Sequence, residues 1–79
     1  MAEQPSGPGD VWNLIRRADD LVKYSPNRDP RKARVQARDQ LRRAAQAAAM
    51  LPDRDAGEAL AHQVETRLKD LDRLDREEA

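Results

Sequence analysis

Three runs of apolar residues at helical spacing, parted by two proline-marked breaks, limit what this chain can fold into more than any other feature. In the first run Val11, Leu14, Ile15, Ala18, Leu21 and Val22 recur at steps of three and four, along one face of a helix. Arg16, Arg17, Asp20 and Lys23 take the opposite face. Asp10 offers a side-chain cap at the start, and the Ser25-Pro26-Asn27-Arg28 stretch ends the helix near Tyr24, because proline pushes the residue before it out of the α region. This predicts a helix over about 11–24. Asp29-Pro30 is the clearest start signal: a capping carboxylate, then proline at the first helical position, where its missing N–H costs nothing. The helix predicted from there runs over 30–51, with Ala33, Ala37, Leu41, Ala44, Ala48 and Leu51 as its stripe, and Pro52 and Asp53 stop it. A third helix over 55–76, capped by Asp53 or by Asp55 with Glu58 three residues on, places Leu60, Val64, Leu68, Leu71 and Leu74 inward and frays before Glu77.

Both connections are short, which makes consecutive helices antiparallel neighbours. The expected fold is all-α, an up-down-up antiparallel three-helix bundle with a short first helix. Residues 10–79 form its single domain, and residues 1–9, with Pro5, Gly7, Pro8 and Gly9 in a polar lead, form a flexible tail. The core is thin: the chain has 79 residues, no Phe, one Trp and one Tyr, and many of its apolar residues are alanines. A partner protein or a second copy of the chain is therefore expected to add to its stability.

The unequal helix lengths suggest where such a partner sits. The second helix, at roughly 33 Å for a rise of ~1.5 Å per residue, outreaches the first, which gets to about Arg43 by Val11. Ala44–Leu51 and Ala56–Leu60 are expected to lack a third-helix cover, leaving an alanine-lined tip. Trp12 lies on the shoulder of the first stripe at the same end. Tryptophan is the residue type most enriched at binding hot spots, but a lone Trp in a small domain also serves as a core anchor. The candidate partner-binding residues are Trp12, Ala45, Ala48, Ala49 and Leu51.

Charge is segregated although the whole is neutral: residues 31–52 carry +5 and residues 53–79 carry −4. Arg31, Arg34, Arg38 and Arg42 line one side of the second helix, with Val35 projecting among them. Such a stripe can contact an anionic partner, giving salt-sensitive nucleic-acid association. It can equally lie over alanines and pair with carboxylates of the third helix. Zero net charge, the absence of interleaved aromatics and the acidic third helix favour the second reading.

Little else suggests chemistry. His62, the sole histidine, points away from Leu60 beside Glu58 and has no second His or Cys to complete a metal site. Ser6, Ser25 and Thr66 are the only hydroxyl nucleophile candidates and none adjoins His62, so no catalytic residue, cofactor or metal is expected. Asp19/Lys23, Asp39/Arg43, Glu65/Lys69 and Asp72/Arg76 fall at i, i+4 with the acid first, the order that supports a helix. With no apolar run long enough for a membrane and no secretory leader pattern, the expectation is a cytoplasmic protein. Twelve Arg against three Lys, with abundant Ala, fits the coding bias of a GC-rich bacterial genome. The functional expectation is a small non-enzymatic protein–protein interaction module, an adaptor, regulator or small subunit, with nucleic-acid association through the arginine stripe as the alternative.

Overall fold

A computed structural model of the chain describes residues 7–24 and 29–78. Residues 1–6 of the expected tail, the expected break at 25–28 and Ala79 lie outside the described residues. The fold is the expected antiparallel three-helix bundle: α1 (Pro8–Lys23), α2 (Pro30–Ala49) and α3 (Arg54–Glu78). There is no strand among the described residues.

α1 begins three residues before the expected start. Gly7 takes the extended N-cap conformation, Pro8 occupies the first turn, and the amides of Asp10 and Val11 donate to the Gly7 carbonyl at 3.1 and 3.3 Å. Proline's fixed φ suits this position, so Pro8 and Gly9 are helix and not tail, and Asp10 is a first-turn residue and not the cap. Its carboxylate still meets the positive end of the helix dipole.

α2 starts as the sequence indicates, with Asp29 Oδ1 accepting from the amides of Arg31 at 3.0 Å and Lys32 at 3.3 Å. It ends at Ala49, two residues early, because Pro52 disfavours helical geometry at Leu51 and Met50 becomes the C-cap. Asp53, not Asp55, caps α3, accepting from the amides of Asp55 and Ala56 at 3.0 and 3.2 Å. α3 does not fray before Glu77. It continues to Glu78, where its acidic side chains meet arginines of α2.

The core joins Val11, Ile15 and Ala18 of α1, Ala37, Leu41, Ala44, Ala47 and Ala48 of α2, and Leu60, Val64 and Leu71 of α3. Leu14, Leu21, Val22, Leu68 and Leu74 pack around it half-buried. α1 rests mainly on α2 and touches α3 less, and the Cα atoms span 40 × 27 × 14 Å.

The bare tip does not exist as expected. Ala44, Ala47, Ala48 and Leu60 are all buried, Ala48 to 2% exposure. The rest of the tip stays partly open, with Ala45, Leu51 and Ala56 half-buried and Ala49 and Met50 exposed. Gly57 lets the α3 backbone approach the Ala48 carbonyl so closely that a Cβ there would lie 2.7 Å from the oxygen.

Candidate functional site

The arginine stripe is built by the i, i+3, i+4 geometry of α2, which points Arg34 and Arg38 at the outer edge of α3. Arg34, at 9% exposure, is the one buried charged residue among those described. Its Nε donates to Asp75 Oδ1 at 2.6 Å and its Nη2 pairs with Glu78. Arg38 Nη2 donates to Asp72 Oδ1 and to Asp75 Oδ2, both at 2.8 Å. Arg31 Nε stands 3.5 Å from Glu78 Oε1 and is otherwise exposed. Arg42 is exposed and has no ion pair among the described residues. The two central arginines therefore meet carboxylates of the same chain, and only the ends of the stripe face solvent.

These contacts are charge-assisted, and they change proton affinities. The hydrogen bond from Arg38, followed by that from Arg34, holds the Asp75 carboxyl below its ordinary value, against a small opposing effect of desolvation. The Asp75 hydrogen bond in turn raises Arg38. Because the Asp75 value is lowered on folding, its contribution to stability is present above the unfolded carboxylate value and is lost as pH falls through the folded one. Acidification below about pH 4 should therefore loosen the last turns of α3. Amide exchange at residues 72–78 in that range should rise before the bundle unfolds, and Asp75→Asn should remove most of the dependence. Simultaneous loss of protection across all three helices would contradict this.

Arg67 is the second organising cation, and nothing in the sequence pattern singles it out. Its Nε donates to Asp19 Oδ1 of α1 at 2.9 Å, and its Nη1 donates to the Gln63 carbonyl and side-chain oxygens at 3.1 and 2.9 Å. The guanidinium lies 6.0 Å from the centre of the Trp12 ring. One side chain thus links α1 to α3 and braces the indole in a cation–π contact. Asp19 meets Arg67 in place of Lys23, and Asp72 meets Arg38 in place of Arg76. Asp39/Arg43 and Glu65/Lys69 form as expected, at 3.2 and 3.3 Å.

The expected partner-binding residues divide by position. Trp12 is 40% exposed. Ala49 is exposed, and Ala45 and Leu51 are half-buried. Ala48 belongs to the core and offers no surface. Met50, absent from the expected partner-binding residues, follows Ala49 as the C-cap of α2 and is 80% exposed. Since α1 and α2 run antiparallel, the start of α1 and the end of α2 lie at one end of the bundle, and Trp12 and Met50 share that end.

His62 is exposed, its carbonyl accepts the Thr66 hydroxyl at 3.0 Å, and Glu58 faces Arg54 at 3.6 Å. Among the described residues no group of three His, Cys, Asp or Glu side chains is placed to hold a metal, and no helix is long and apolar enough to cross a membrane. A groove of about 780 Å³ between α1 and α2 is lined by Arg17, Asp20, Leu21, Lys32 and Ala33. Gln40 borders it with a buried Oε1 that meets no hydrogen-bond donor among the described residues. Comparison with protein-family models, curated proteins and solved structures gives no significant match to this chain.

Proposed function

We propose that the chain is a non-enzymatic protein-interaction module, an adaptor, regulator or small subunit, that docks through the bundle end bearing Trp12 and Met50. The observation that carries this reading is the exposure of these two large apolar side chains toward the same end of the bundle, with exposed Ala49 preceding Met50 in the chain. The Arg67 guanidinium holds the indole, so less side-chain freedom is lost on docking, and the flexible thioether of Met50 adapts to an opposing surface. The alternative, nucleic-acid association through Arg31, Arg34, Arg38 and Arg42, starts from a stripe whose two central arginines already hold α3 carboxylates.

Affinity capture with the intact chain, repeated with Trp12→Ala and Met50→Glu, tests the reading. Both variants should keep wild-type helicity, because neither side chain belongs to the buried core. Each should weaken the same captured partner by ~10-fold or more, the size expected of a hot-spot residue. A partner retained equally by wild type and both variants would contradict the proposed docking end.

A further inference from the structure

Beyond Leu74, α3 reads Asp75-Arg76-Glu77-Glu78, with no apolar side chain to anchor it. What holds this last stretch against α2 is charge: Asp75 and Glu78 on Arg34, Asp72 and Asp75 on Arg38, and Glu78 facing Arg31. Arg34 has little other reason to be buried, since an unpaired guanidinium in that position would remain in water. Lifting residues 75–78 would free the guanidiniums of Arg31 and Arg34 and leave Arg38 on Asp72 alone, with Arg42, which has no ion pair among the described residues, one turn further on. We infer that the end of α3 is a displaceable acidic cover on a phosphate-binding face formed by Arg31, Arg34, Arg38 and Arg42, whose ligand is the phosphodiester backbone of a nucleic acid.

Carboxylates already engage these guanidiniums, and the planar fork of arginine suits phosphate oxygens as well as carboxylate ones. Tethering gives the cover a high effective concentration, so weak or isolated anions cannot displace it. A polyanion can, because it engages several arginines together and releases condensed counterions as it does so. One arginine per helical turn also suits successive phosphates of an extended strand. This surface is separate from the Trp12 and Met50 end and does not depend on it.

The test uses the full chain and a fluorescently labelled single-stranded DNA of about 20 nucleotides at about 50 mM salt, where phosphate contacts are strongest. The Asp72→Asn/Asp75→Asn/Glu78→Gln triple should bind at least ~10-fold tighter than wild type, with log K falling against log salt at a slope of about −2 to −3 for three or four phosphates. Adding Arg34→Gln and Arg38→Gln should abolish the gain. A second triple, Asp20→Asn/Glu58→Gln/Glu65→Gln, changes net charge equally but away from the stripe and should not reproduce it. An equal gain in that control, no gain in the first triple, or equal displacement of the DNA by polyglutamate would overturn the inference. Amide exchange in the wild-type chain gives a readout that needs no variant: DNA should accelerate exchange at residues 75–78, and unchanged exchange at saturating DNA would overturn it as well.

Discussion

Gly57→Val should destabilise the bundle by about 2–3 kcal/mol, near the upper end of what overpacking costs. The obstacle is backbone: a Cβ at residue 57 would lie 2.7 Å from the Ala48 carbonyl oxygen, which cannot rotate aside as a flexible side chain would. Glycine is not required by conformation here, since no described glycine has a positive φ. The reason is space alone. Gly57→Ala should lose less, because alanine's helix propensity, worth up to about 1 kcal/mol over glycine, offsets part of the clash. Thermal melts followed by helical circular dichroism should show the graded order wild type, alanine, valine, at about 4–8 °C per kcal/mol for a chain of this size. Wild-type melting of the valine variant would mean that α2 and α3 do not touch at this point.

Leu41→Ala should cost more, about 2–5 kcal/mol, the range for deleting a buried leucine side chain. Leu41 is 1% exposed midway along α2 and lines one groove with Leu71 and Leu74 of α3 and Ala18 and Val22 of α1. All three helices meet around it. A domain of this size has a total stability on the order of 4–12 kcal/mol, so the variant is expected to be partly unfolded at moderate temperature. Val35→Ala is the internal control: that valine is equally apolar and on the same helix but 65% exposed, and its loss should stay within about 0.5 kcal/mol. Urea titration separates the two. Equal losses would mean that the face of α2 turned inward has been misassigned.

The helices and their inward faces are legible in the sequence because each is written in local chemistry. Asp29-Pro30 and Pro52-Asp53 mark the breaks, and the spacing of Ile15, Leu41, Val64 and Leu71 sets which side turns inward. The start of α1 is misread because Asp10 and Pro8 are both acceptable beginnings, and only the geometry at Gly7 decides between them. The close approach at Gly57 packs Ala48, expected at the open tip, into the core.

The arginine stripe shows where local reading stops. Periodicity places Arg31, Arg34, Arg38 and Arg42 on one side of α2, and the acidic end of α3 suggests partners in general terms. Which carboxylate meets which arginine depends on the tilt and register of two helices more than thirty residues apart in sequence, as Arg38 and Asp72 are. The Arg67 bracket is less visible still. It takes an α1 carboxylate, an α3 glutamine and the Trp12 ring together, and no spacing within one helix encodes that meeting. Met50 falls inside a helix expected to reach Leu51, and nothing in the spacing marks it as the most exposed large apolar residue of the described chain.

α2 is fastened to α3 at both ends, by close backbone approach at Gly57 and by arginine–carboxylate pairs near Asp75. A nuclear Overhauser spectrum of the full chain tests both ends in one measurement. It should show cross-peaks between Gly57 Hα and protons of Ala48, together with a slowly exchanging Arg34 Hε that correlates with Asp75 protons. An Ala48 methyl in contact with solvent and an Arg34 Hε exchanging as fast as that of exposed Arg42 would contradict it.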